Sequence, residues 1–348
     1  MSRGTRLASY LGTTWAAVIV FASLYPFSGW TDPGISTLSF MSMPLPKHVL
    51  WGDFLINLSA YVPLGLFVSM AFGSGRIKAL LIATFLCCLL SFSMESAQMY
   101  LPARVASNLD WFSNSMGGLI GSLVALRANR LPFVDIHLVK WRDDWIIPGA
   151  AGDAGIALVV LWLFTQTNPS LPLMGSWILD EGQLLQRLFI PHSFSFHEAA
   201  SIALNLLSFG LVLSLMMKEG KGKLMPVVLM LFLATLIKSA MAGFLLKPSV
   251  FFAWANQEAL AGVGAGLALI SSFKHGTRKI RTIAAILAIV AQIAFTNLTP
   301  NIASPTSELF LFSWKYGQLL TLSGSTSFIA KLWPYLALAY LGAIYRKV

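Results

Sequence analysis

Charge is scarce in this sequence. Only 11% of its 348 residues are Asp, Glu, Lys or Arg, where a soluble domain carries roughly 25%. A water-facing surface cannot be built from that supply, which excludes a soluble enzyme, a nucleic-acid-binding domain and a disordered chain. Acid is scarcer than base, with 14 Asp+Glu against 24 Lys+Arg and a net charge of +10. Cysteine is almost missing. Cys87 and Cys88 are neighbours inside an apolar run, where a disulfide would be strained, so they read as small packing residues. The five histidines show no ligand spacing, and neither CxxC nor HExxH occurs. No metal or cofactor is therefore expected.

In place of charge there is apolar length: 56% hydrophobic residues and a mean hydropathy of +0.72. A membrane-spanning helix needs about 20 mainly apolar residues. Candidate spans fall near 8–27, 52–72, 78–99, 109–126, 149–166, 199–217, 224–246, 253–273, 281–297 and 329–345. The expectation is an all-α, polytopic transmembrane bundle of about ten helices. Arg3 and Arg6 precede the first span, which reads as a retained helix rather than a cleaved signal. The basic loops around Arg76 and Lys78, Lys140 and Arg142, Lys221 and Lys223, and Arg278 and Lys279 all fall on one side of a ten-span chain. By the positive-inside rule that side is cytoplasmic and holds both termini. Segments 28–50, 167–198 and 298–328 are then outside.

The chain also resembles itself. Glu95-Ser96-Ala97 recurs as Lys238-Ser239-Ala240, and the same offset sets Arg104 on Lys247, Trp111 on Trp254, Asn114 on Gln257 and Gly121 on Gly264. A similar offset sets Asp53 on Glu198 and Gly65 on Gly210. A third, partial copy matches Gly182-Gln183-Leu184-Leu185 with Gly317-Gln318-Leu319-Leu320. The reading is a 4+4+2 repeat: 1–130, a degenerate second copy at 131–275, and two helices at 276–348.

Polar residues gather at the outer end of the first repeat. Asp53, Asn57 and Tyr61 are four apart and share one helix face. Glu95 and Gln98 lie near the end of the third span, Arg104 and Asn108 follow in the turn, and Asp110 and Asn114 open the fourth span. A carboxylate such as Glu95 at membrane depth should face the bundle, water or a partner. Glu95, Arg104 and Asp110 are therefore the catalytic candidates, with Glu95 as general acid/base. Asp53, Asn57, Gln98, Asn114 and Lys238 are the substrate-binding candidates. The competing reading of Glu95 with Arg104 is an ion pair that holds the loop, and Asp53 and Asp110 also read as helix-start residues. Ser107, Ser113 and Ser115 are nearby but have no histidine partner in sequence, so no activated nucleophile is named. Gly117 and Gly121, like Gly262 and Gly266, read as GxxxG packing pairs.

These residues resemble the VanZ-like family of bacterial membrane proteins: Asp53 and Asn57 before Pro63-Leu64-Gly65, then Glu95 and Gln98, Pro102 and Arg104, Asp110 and Asn114, and the Gly117/Gly121 pair. The likeness covers about 15–126 and is degenerate over 150–273. It implies a four-helix module in the bacterial cytoplasmic membrane and a link to the cell envelope, since the name-giving member is associated with resistance to the glycopeptide teicoplanin. The second repeat departs from the pattern, with Lys238 for Glu95, Lys247 for Arg104 and Ala253 for Asp110. The function expected is binding or modifying envelope lipid or polysaccharide precursors. The alternatives are a carrier or flippase and a non-catalytic membrane scaffold. Membrane lipids and lipid-linked precursors are the expected partners, and nucleic acid is not.

Overall fold

In the computed structural model, residues 3–44, 51–73, 75–128, 139–169, 171, 173–174, 194–220, 224–245, 251–252, 254–298 and 318–345 are described. The chain divides into two units, Met1–Asp144 and Trp145–Val348. Nearly everything described is helical: α1 Arg3–Leu24, α2 Trp51–Ala71, α3 Ile77–Gln98, α4 Asn108–Ala128, α5 Val139–Trp145, α6 Ala150–Thr165, α7 Phe196–Met216, α8 Met225–Leu245, α9 Gln257–Ser272, α10 Arg278–Leu298 and α11 Gln318–Tyr345. All ten expected spans are helices, and the short α5 is an addition. The matched stretch 182–185, Gly317, Lys221, Lys223, Lys247 and Ala253 lie outside the described residues.

Among the described residues seven helices are long and apolar enough to cross a membrane: α1, α2, α3, α7, α8, α10 and most of α11. The other three expected spans fall short for identifiable reasons. Helices α6 and α9 have 16 residues each, and α4 opens on Asn108, Asp110, Ser113 and Asn114. The exposed faces of the long helices are apolar, as with Leu81, Phe85 and Leu89 on α3 or Val228, Phe232 and Leu236 on α8. Such stripes suit hydrocarbon rather than water. The protein is a multi-pass membrane protein.

In the first unit α2 and α4 pack most closely, with α1 and α3 beside them. The buried stripe of α4 is Ser113, Asn114, Gly117, Gly118, Gly121, Ser122 and Ala125, the three-and-four spacing of one helix face. Absence of side chains is what lets the backbones meet. A β-carbon on Gly121 would stand 2.0 Å from the Val62 carbonyl oxygen, and one on Gly117 2.2 Å from that of Leu58. Ser122 closes the contact by donating to the carbonyls of Gly118 and Gly65 at 2.8 and 3.3 Å. Helix α2 runs on through Pro63.

In the second unit α7 is the centre. It is buried almost all round, and α9, α10, α6 and α8 pack on it. Gly262 and Gly266 bring α9 onto α7, where added β-carbons would meet Ala199, Ile202 and Leu206. Trp162 stacks on Phe209 with centroids 3.9 Å apart, and Trp333 donates to the Leu158 carbonyl at 2.9 Å. The last two helices, α10 and α11, belong to this same unit.

Candidate functional site

Four helix ends meet at one end of the first unit: the C-termini of α1 and α3 and the N-termini of α2 and α4. Helix C-termini leave carbonyls without partners, and N-termini leave amides. The polar residues are placed accordingly. Arg104 donates from Nε to the Tyr25 carbonyl at 3.0 Å, and from one terminal nitrogen to those of Tyr25 and Ala22 at 2.7 and 2.9 Å. Gln98 donates to the Ser23 carbonyl at 3.0 Å. Both side chains thus close the end of α1, where a cation also opposes the negative end of the helix dipole. Burial lowers the Arg104 pKa from its usual value, while the Glu95 and Tyr25 charges work the other way.

The acids occupy the opposite kind of helix end. Asp53 is in the first turn of α2 and Asp110 in the first turn of α4, where the dipole favours negative charge. Asp110 lies within electrostatic reach of both Asp53 and Glu95. Asn57, one turn into α2, is set as a hydrogen-bond donor toward the Asp110 carboxylate. Glu95 is 3% exposed and accepts the Ser107 amide at 2.8 Å. Arg104 attracts it through space. The Ser107 hydroxyl in turn accepts from the amides of Leu109 and Asp110, which starts α4. Asn108 ties the site to the preceding segment through the Met43 carbonyl at 2.7 Å.

Asp53, Asn57, Glu95, Arg104 and Asp110 are therefore brought together. Asn114 lies deeper, where its amide nitrogen donates to Ser91 at 3.0 Å and its oxygen is buried without a hydrogen-bond partner. Ser113 and Ser115 donate to the carbonyls of Asp110 and Trp111. All three serines near the site thus serve backbone groups, and none is set against a base. Among the described residues no group of His, Cys, Asp and Glu could hold a metal ion.

Residues 8–129 match the family described as VanZ/LLP1. This segment is a VanZ-like module. The match begins in α1 and stops after α4, so it takes in the whole VanZ-like helix-end cluster. No curated protein and no solved structure matches the chain.

Lys238 lies in the second unit. The residue is 1% exposed, and its ammonium donates to the carbonyls of Asn168 and Leu171, both at 2.8 Å. It stands 13 residues into α8, whereas Glu95 stands 18 residues into the VanZ-like module's α3. Lys238 is thus deeper in its helix than the sequence alignment with Glu95 implies. That alignment also set Ala253 opposite Asp110 and made the second cluster cationic. An acid nonetheless stands in the first turn of α9, Glu258. With Glu198 in the first turn of α7, the second unit has its own acid pair. Ser195 caps α7 and its amide donates to Glu258 at 3.1 Å, while Asn256 caps α9 and its side chain donates to Glu198 at 3.3 Å. Each acid therefore reaches the cap of the other's helix. Ser195-x-x-Glu198 is a capping-box pattern legible in the sequence, whereas Glu258 stands five residues beyond Ala253, the position the sequence offset set opposite Asp110. Gly264, which the sequence offset set opposite Gly121, touches nothing, while Gly262 and Gly266 carry the packing.

Proposed function

We propose that the VanZ-like cluster is the ligand-binding site of an envelope protein in the cytoplasmic membrane of a bacterium, and that its ligand is the hydroxyl-rich head of a lipid-linked or polysaccharide precursor. The observation that carries this reading is Asp110 set between Asp53 and Glu95, with Asn57 alongside. Three carboxyl groups and an amide at four converging helix ends form a surface of hydrogen-bond acceptors. Sugar hydroxyls supply the matching donors. Nε and one terminal nitrogen of Arg104 are turned to the end of α1, so its role is to hold the wall of the site. Where the site also performs chemistry, Glu95 is the acid/base group, buried and within reach of Asp110.

The test is genetic. Asp110→Asn and Glu95→Gln are expected to abolish the envelope phenotype of the gene, teicoplanin susceptibility included, with the protein still reaching the membrane in normal amount. An unchanged phenotype in both variants would remove the cluster from the function. Loss of the protein itself in both would assign these acids to folding.

A further inference from the structure

Three side-chain amides in the second unit share an unmet need. Gln166 follows the last turn of α6, Asn205 lies midway along α7, and Gln292 lies in the last third of α10. They are 2%, 5% and 5% exposed. In each the side-chain oxygen is buried without a hydrogen-bond partner. All three residues line one cavity of about 20 Å³, together with Trp162, Thr165 and Trp333. A space of that size admits one small species, since a single water needs about 10–15 Å³.

Neighbouring groups fix which way two of the amides point. Thr165 gives its hydroxyl proton to the Trp162 carbonyl at 2.6 Å, so toward Gln166 it can only accept, and Gln166 Nε2 donates to it at 2.9 Å. Asn205 Nδ2 donates to the Met174 carbonyl, which has no proton to give. Turning either amide over would set acceptor against acceptor. The oxygens of Gln166 and Asn205 are thus held free, and that of Gln292 joins them.

The donors of Thr165, Gln166 and Asn205 are spent on other partners, and no charged group lines the cavity. A water molecule has two protons and would leave one of three oxygens unmet, whereas one cation satisfies all three. No carboxylate lines the space. Neutral oxygens suit a singly charged ion, and doubly charged ions are held in proteins chiefly by carboxylates. The buried ammonium of Lys238 is not among the lining residues and is held by two backbone carbonyls.

We propose that this cavity binds one monovalent metal cation of sodium-like size, coordinated by the side-chain oxygens of Gln166, Asn205 and Gln292. An occupied site ties α6, α7 and α10 together at this level. It is independent of the acid cluster in the first unit.

The experiment is a thermal-unfolding series on the full chain in detergent. Sodium chloride is exchanged for N-methyl-D-glucamine chloride at constant ionic strength, with lithium, potassium and rubidium chlorides alongside. Binding to the folded state raises Tm with the logarithm of ion concentration, by roughly 3 °C for each tenfold rise past saturation. The smaller alkali ions are expected to give this rise, and N-methyl-D-glucamine none. Gln292→Leu should lose the ion response and keep the Tm seen without the ion. Should Gln292→Leu fail to fold, Gln292→Glu decides, because a carboxylate at the same place should move the sodium response to lower concentration. An identical Tm in every chloride would mean that the cavity holds only water and would overturn the proposal. A sodium response unchanged in Gln292→Glu would place the ion elsewhere and overturn it equally.

Discussion

Arg104 and Tyr25 are 79 residues apart, and two nitrogens of the Arg104 guanidinium converge on the Tyr25 carbonyl oxygen at 3.0 and 2.7 Å. The contact joins the turn before α4 to the end of α1. It gives a charge that reads from sequence as a catalytic candidate, or as one half of an ion pair with Glu95, the closure of a helix as its task. Arg278 and Arg281 do the same for the second unit, where they donate to the Leu215 and Ser214 carbonyls at the end of α7.

Removing Arg104 should therefore cost stability. A hydrogen bond to a charged group contributes about 1.5–3 kcal/mol. Arg104→Ala loses three, so a loss of at least about 3 kcal/mol is expected. Thermal unfolding in detergent measures it. Arg104→Lys should recover only part, because an ammonium cannot reproduce the forked geometry. A full recovery by lysine would mean that charge alone is what matters there.

The α2–α4 contact makes a sharper demand. Gly121→Ala adds a carbon where 2.0 Å separates it from the Val62 oxygen, so the helices must part and folded protein should not accumulate. Gly264→Ala meets open space and should stay within about 1 kcal/mol of the parent, the span of the Gly–Ala helix preference. Detergent-resistant folded yield by size exclusion separates the two.

In the second unit the caps are tested by Ser195→Ala and Asn256→Ala. Each should cost about 1 kcal/mol as a lost N-cap. The two caps are linked through Glu258 and Glu198, so their combined cost should depart from the sum of the two. Strict additivity in chemical or thermal unfolding would argue that the two helix starts are independent.

Ten helices are legible in the sequence because apolar runs of membrane length are bounded by Gly, Pro and charge. The GxxxG pairs are legible because small residues four apart have one strong use. The convergence of Asp53, Asn57, Glu95 and Asp110 follows from four helix ends on one side. The task of Arg104 and Gln98 is not legible, because their partners are backbone carbonyls and any sequence at 22–25 would supply those. Glu258 falls at no position that the repeat offsets pair with a first-repeat acid, and its bond to the Ser195 amide, 63 residues away, shows only in the packing. Gln166, Asn205 and Gln292 stand alone on three distant segments, and nothing in their spacing announces a shared cavity.

Orientation is tested by cysteine labelling after Cys87 and Cys88 are replaced. Val105, 84% exposed beside the cluster, should react as Val105→Cys with an impermeant maleimide added to intact cells. Lys140→Cys should react only once the membrane is opened. The reverse pattern would put the cluster on the cytoplasmic side and exclude an outer-face ligand.

The claim that the acid cluster binds a precursor head group is tested most directly by titration. The full chain in lipid nanodiscs is titrated with a polyprenyl-pyrophosphate-linked disaccharide and binding is read by calorimetry. Saturable binding is expected, weakened about tenfold or more in Asp110→Ala, the loss of roughly one charged hydrogen bond, and unchanged in Lys140→Ala. Equal affinity in the parent chain and in Asp110→Ala, or no saturable binding by the parent chain at all, would contradict it.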